Sequence, residues 1–222
     1  MMNKMRLSFS VILVLCLLTR TAVAQPFADE IRAFKKTDNE HFLPKNAILF
    51  VGSSSFRKWT DVQDYFHGYT IINRGFGGST LPDVIRYAND IIIPYAPRQV
   101  VIYCGENDLA SSDTVTASVV VERFKTIFYL IRKQLPRVPI LFVALKPSPS
   151  RQKLWPAMLE ANVRIRQFLK HKRRTAYADV YHAMLNSDGT LIPGLFLEDN
   201  LHMTAKGYAI WQKIIKPYLL KD

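Results

Sequence analysis

Five short runs rich in β-branched and aromatic residues alternate with longer amphipathic stretches, and this alternation limits how the chain can fold more than any other feature. The runs cover residues 47–51, 70–73, 99–103, 139–145 and 175–180, and each is predicted as a strand. Helical spacing covers about 61–65, 81–92, 114–134, 154–171 and 205–220. A run such as Val100-Val101-Ile102-Tyr103 has no polar face, so its strand is expected to be buried on both sides. The repeated order of strand and helix makes the strands parallel, joined by right-handed crossovers. The expected fold is α/β, a three-layer α/β/α sandwich around a five-stranded parallel sheet. In such sheets ligands bind beyond the carboxyl ends of the strands, so the loops leaving those ends are where chemistry is to be sought.

The 222 residues, 49% hydrophobic and 22% charged, have the composition of an ordinary globular protein and a length that suits one domain. The first of them read as a targeting peptide. Lys4 and Arg6 lead an apolar stretch at 7–18, and Ala22-Val23-Ala24 supplies a small-residue cleavage signal before Gln25. Residues 1–24 are therefore expected to be a signal peptide and 25–222 a single domain, exported to the periplasm or secreted. The apolar stretch is about a dozen residues where a spanning helix needs roughly 20, so no stable membrane insertion is expected after cleavage. Lipidation at Cys16 is disfavoured by the bulky Leu15 before it and the apolar residues after it. Loss of Cys16 leaves Cys104 alone, without a disulfide partner even in an oxidising compartment. Residues 1–24 hold Lys4, Arg6 and Arg20 and no acid, so the remainder carries +9 of the chain's +12. Lys170, Lys172, Arg173 and Arg174 form a dense basic run after Arg164 and Arg166 on the same predicted helix. Such clusters occur in nucleic-acid-binding proteins. Cations are also favoured near helix C-termini, and the run is read as a solvated helix end with no nucleic acid as partner.

Four loops carry the polar groups of interest. Residues 48–51 run into Gly52-Ser53-Ser54-Ser55, three hydroxyls on a tight turn at a strand's carboxyl end. Serines at such turns commonly only cap the next helix, so capping and catalysis both stay open for this cluster alone. The second strand leads to Gly75-Phe76-Gly77-Gly78-Ser79-Thr80, whose glycines let backbone N–H groups approach a ligand. The third ends in Cys104-Gly105-Glu106-Asn107-Asp108, which delivers an amide able to donate to a developing oxyanion. Asp199-Asn200-Leu201-His202 precedes the final helix, with Thr204 as its candidate cap. The i, i+3 spacing lets the carboxylate reach one imidazole nitrogen while the other faces a nucleophile.

In this order the four loops resemble the signature blocks of the SGNH/GDSL hydrolases: a Gly-Asp-Ser turn, a glycine after the second strand, a Gly-x-Asn-Asp segment and a terminal Asp-x-x-His. Gly52-Ser53-Ser54 matches the first block with Ser53 in place of aspartate, Gly78 the second, Gly105-Glu106-Asn107-Asp108 the third, and Asp199 with His202 the fourth. The resemblance spans nearly all of residues 25–222 and implies a flavodoxin-like SGNH hydrolase fold. It implies an esterase without a cofactor, in which Ser54, in register from Gly52, is the nucleophile. His202 would be general base and then general acid, and Asp199 would hold the imidazole tautomer. It further implies an oxyanion hole made by the Ser54 and Gly78 N–H groups and the Asn107 amide. The family's aspartate is not the nucleophile, so Ser53 bears on the geometry of the turn more than on the reaction.

Other readings fail on particular residues. Ser55-Phe56-Arg57-Lys58 spells the S-x-x-K of β-lactamases and penicillin-binding proteins, but no Lys-Thr-Gly or Lys-Ser-Gly follows it. G-x-S-x-G fails at Phe56, and a dinucleotide fingerprint fails at Thr80. His41, His67, His171, His182 and His202 lack metal-ligand spacing, so no metal is expected. The alternative of a different class is a non-catalytic carbohydrate- or envelope-binding module of the same fold, which has no use for the full serine, asparagine, aspartate and histidine set. The expected partner is a small-molecule or carbohydrate ester, with lysophospholipids a further candidate. Trp59, Trp155 and Tyr103 are candidates to line a sugar or acyl surface, although aromatics at such positions are more often core. Lys146, after the fourth strand, is either a contact for an anionic substrate group or a solvated loop lysine.

Overall fold

A computed structural model describes residues 25–41 and 43–221, so the segment 1–24, expected to be a signal peptide, lies outside the described residues. The five apolar runs form β1 (Ile48–Gly52), β2 (Ile71–Gly75), β3 (Gln99–Tyr103), β4 (Ile140–Val143) and β5 (Thr175–Ala178). All pair in parallel, in the order β2-β1-β3-β4-β5. The chain steps outward from β1 to β2 and then back past β1 to β3, which opens a crevice at the carboxyl ends where the order reverses. β1, β3 and β4 are buried along their whole length, the reason their sequences show no polar alternation.

In chain order the helices are α1 (Ala28–Glu40), the single turns α2 (Ser54–Arg57) and α3 (Val62–Tyr65), α4 (Leu81–Ile91), α5 (Glu106–Ser111), α6 (Ala117–Gln134), α7 (Trp155–Lys170), α8 (Val180–Ala183) and α9 (Ala205–Ile215). α4, α6 and α7 lie side by side, with α1 against α4. α6 buries Val120, Phe124, Ile127 and Ile131 at helical spacing, each worth roughly 1.5–3 kcal/mol of apolar burial. Phe124 meets Phe142 of β4 with ring centres 4.7 Å apart. Because side chains alternate across a strand, Phe50 and Tyr103 serve the other face: Phe50 packs on Phe56 and Trp59, and Tyr103 on Trp211 of α9. Both faces of the sheet are thus covered, as a three-layer sandwich requires.

Local chemistry explains where the helices start. Thr80 and Asp83 close a capping box on α4, and the Thr204 hydroxyl accepts the Gly207 N–H at the start of α9. Trp59, a candidate substrate contact by sequence, belongs to the core instead. It is fully buried and stacks on Tyr208 at 4.7 Å, because α9 folds back over it. The polar α1, which buries only Ile31, was not anticipated.

Candidate active site

Gly52 ends β1 with φ 141°, where side chains are rarely tolerated, and a Cβ there would lie 1.9 Å from the Tyr103 carbonyl oxygen. Only glycine fits, and the chain turns directly into α2. The three serines that follow diverge. Ser53 is buried and its Oγ accepts from Asn107 Nδ2 at 2.9 Å. Ser55 is also buried, its carbonyl oxygen accepting the Tyr208 hydroxyl at 2.8 Å. Ser54 is partly open to solvent and its Oγ lies 2.9 Å from His202 Nε2.

Asn200 takes a left-handed φ of 56°, which turns the loop so that Asp199 returns onto His202. Asp199 Oδ2 accepts from His202 Nδ1 at 2.6 Å, while Oδ1 accepts the N–H groups of Leu201 and His202, each at 2.9 Å. Burial pushes the Asp199 carboxyl upward, but the hydrogen bonds from the His202 ring and the two N–H groups outweigh it and hold its pKa at about 2. An ionised Asp199 keeps the imidazole proton on Nδ1 and leaves Nε2 to accept from the Ser54 hydroxyl.

The same spacing occurs again at Asp179-Val180-Tyr181-His182, where His182 Nδ1 lies 2.9 Å from Asp179 Oδ2. The His182 side chain is 64% exposed against 15% for His202, and among the described residues its Nε2 has no hydrogen-bond partner. Only the copy facing a serine makes a proton path.

The donors gather beside Ser54. A Cβ on Gly78 would sit 3.7 Å from Asn107 Nδ2, which places that backbone next to the amide. Asn107 Nδ2 donates to Ser53 Oγ and to the Ser79 carbonyl at 3.2 Å. Among the described residues the N–H groups of Ser54 and Gly78 donate to no protein acceptor. The glycine turn is held from α1: Gly77 N–H donates to Glu30 Oε2 at 3.0 Å, and the same oxygen pairs with Arg57 Nε at 2.9 Å. A Cβ on Gly77 would lie 2.2 Å from the Phe27 ring. Sequence reasoning missed Glu30 because nothing local marks a glutamate whose partners sit on two distant turns.

A layer of buried charge underlies the site. Lys146 is fully buried, its Nζ 2.8 Å from Glu106 Oε2, which also accepts the Tyr103 hydroxyl. Lys146 is therefore neither a substrate contact nor a solvated lysine. The Glu106 carboxylate is buried at the start of α5 and requires a counter-charge, which Lys146 supplies. Tyr103 is buried rather than lining a surface; burial, then the Glu106 charge, push its hydroxyl well above its usual range. Trp155 is half-buried, with Nε1 donating to the Ser148 carbonyl at 3.0 Å. Asp108 Oδ2 accepts the Leu81 N–H at 2.9 Å and Oδ1 pairs with Arg123 at 2.8 Å, while burial pushes this carboxyl up against both contacts. Among the described residues no three His, Cys, Asp or Glu side chains gather into a metal-binding group, and no helix is long and apolar enough to cross a membrane.

A sequence model of the GDSL-like Lipase/Acylhydrolase family matches residues 23–210. No curated protein matches the sequence. Among solved structures, a GDSL-like lipase from Bacteroides thetaiotaomicron is similar with a TM-score of 0.71 and 21% identity, over 84% of this chain and 95% of that one. A lipase from a goat rumen metagenome gives a TM-score of 0.63 at 15% identity, over 78% and 96%. An acetylxylan esterase from Geobacillus stearothermophilus gives 0.63 at 13% identity, over 82% and 98%. At these identities the likeness establishes the fold.

Proposed function

This chain belongs to the GDSL-like lipase/acylhydrolase family, and from that premise we propose that it is an exported serine esterase. In this reading it cleaves short acyl or acetyl esters of small-molecule or carbohydrate alcohols through an acyl-enzyme on Ser54. The observation that carries the reading is the unbroken hydrogen-bond chain from Ser54 Oγ through His202 to Asp199. The Ser54 oxygen attacks the ester carbonyl carbon as its proton passes to His202 Nε2, and Asp199 stabilises the imidazolium that results. The carbonyl oxygen takes up negative charge, met by the Ser54 and Gly78 N–H groups and by Asn107 Nδ2. Asn107 gives up its bond to Ser53 Oγ as the oxyanion forms. A neutral hydroxyl releases that amide more readily than a carboxylate would, which gives serine at position 53 a chemical sense. His202 returns the proton to the departing alkoxide, then takes one from the water that attacks the acyl group and frees Ser54.

The acetylxylan esterase among the structural relatives makes an acetylated carbohydrate the first substrate to try. A fluorophosphonate probe is expected to label Ser54 in the wild type. Ser54→Ala is expected to lose hydrolysis of p-nitrophenyl acetate while keeping its circular dichroism spectrum. Activity retained in that variant removes Ser54 as the nucleophile, whereas a folded wild type that the probe leaves unmarked and that hydrolyses no ester overturns the esterase and favours a binding module. Export is tested by N-terminal sequencing of protein recovered outside the cytoplasm, which should begin at Gln25.

A further inference from the structure

The end of the sheet opposite the Ser54 turn is strongly cationic. From Arg123 to Ala178 the sequence holds one acidic residue, Glu160. The fold brings the end of α6 and the end of α7 together at the amino ends of β4 and β5, so that Arg137, Lys170, Arg173 and Arg174 are all exposed there. Among the described residues these four and Lys172 form no ion pair. Arg132 ties the cluster together by donating to the Arg173 and Arg174 carbonyls at 3.0 and 3.1 Å. Its guanidinium is pulled below its usual range by burial and by repulsion from Arg174, so the fold holds like charges close together here, with no acidic partner for them among the described residues.

Apolar groups accompany the cations. Tyr129, 50% exposed, lines a depression with Arg137, Lys172 and Arg174, and Leu220, 39% exposed, lines a second with Arg98, Arg137 and Arg174. Cations interspersed with exposed apolar side chains suit a surface of phosphate headgroups over hydrocarbon. Nucleic acid fits less well. Lys172 Nζ sits over the Tyr129 and Phe168 rings at 5.3 and 4.9 Å and occupies a ring face that a stacking base would need, while half of Tyr129 stays exposed.

We propose that this cationic edge docks the protein peripherally on a phosphate-bearing lipid surface. β1 runs from that edge to the catalytic turn, and five strand residues span about 16 Å. The docked protein would therefore present Ser54 away from the lipid, toward substrates in the aqueous phase.

The test is sedimentation of the folded 25–222 chain with vesicles of phosphatidylcholine alone or mixed with phosphatidylglycerol. At least tenfold tighter binding to the anionic vesicles is expected, abolished near 1 M salt, where the Debye length is about 3 Å. Arg137→Glu, Lys172→Glu and Arg173→Glu combined should remove binding while p-nitrophenyl acetate hydrolysis persists. The equal charge change Lys36→Glu, Lys58→Glu and Lys206→Glu should leave most binding in place. Absence of binding to anionic vesicles, equal loss in both triple variants, or single-stranded DNA binding more tightly than the vesicles through the same residues would each overturn the proposal.

Discussion

At the carboxyl ends of the strands charged side chains are paired, with Lys146, Glu106 and Asp108 buried, whereas at the amino ends exposed cations have no ion-pair partner among the described residues. Lys146 meets Glu106, Asp108 meets Arg123, and Glu30 meets both Arg57 and the Gly77 N–H. Arg137, Lys170, Arg173 and Arg174 have no such partners among the described residues. A charge withdrawn from water must be compensated inside the fold, whereas one left in water need not be. Matched pairs therefore belong to the architecture that holds the loops around Ser54. The unmatched cations are free of that duty.

That contrast can be broken most directly at Lys146. Lys146→Ala leaves Glu106 buried without a counter-charge and is expected to destabilise by about 3–5 kcal/mol in urea unfolding. Lys146→Met combined with Glu106→Leu should recover most of the loss, and a single-variant loss under about 1 kcal/mol would erase the difference between the two ends. Next in size, Asn107→Ala should lower kcat by roughly 10²–10³, about 2.7–4 kcal/mol, with KM little changed. An unchanged kcat removes Asn107 from the oxyanion site. Glu30→Ala releases the Gly77 turn and should lower kcat by roughly fivefold, about 1 kcal/mol, in steady-state assays, with Glu30→Gln retaining most of the rate.

Asp199 sharpens the comparison through pH. Its folded pKa of about 2 lies below the ordinary carboxylate value of about 3.9. A depressed carboxyl adds stability that is complete above the ordinary value and disappears as pH falls toward about 2. Asp199→Asn should therefore flatten the acid slope of stability between those values, measured by denaturant melts at several pH values. The smallest effect belongs to the opposite end: Arg173→Glu should shift unfolding free energy by no more than about 0.5 kcal/mol. A large loss there would mean that these cations also serve the fold.

The sheet was readable from sequence because buried parallel strands leave continuous apolar runs, and 99–103 coincides with β3 to the residue. The loops that meet around Ser54 were readable because each follows directly from a strand or precedes a helix. Glu30 and α1 were not, since a helix burying only Ile31 carries little periodic signal and acts through Gly77. Lys146 and Trp59 could not be placed from the sequence because their burial depends on residues distant in the chain, Glu106 in one case and Tyr208 in the other. Asp179-x-x-His182 and Asp199-x-x-His202 look alike on paper. Only folding decides which of them meets Ser54.

Ser53, Ser54 and Ser55 offer the same functional group three times in succession, yet the turn at Gly52 aims only one of them at His202. A neighbouring serine is thus no spare part. Chemical repetition along the chain provides no backup, because moving the contact with His202 to Ser53 or Ser55 would require the turn itself to be rebuilt. Position 55 contributes its backbone carbonyl to Tyr208, whereas position 53 is tied by its hydroxyl to Asn107, so the two flanking serines answer to different neighbours.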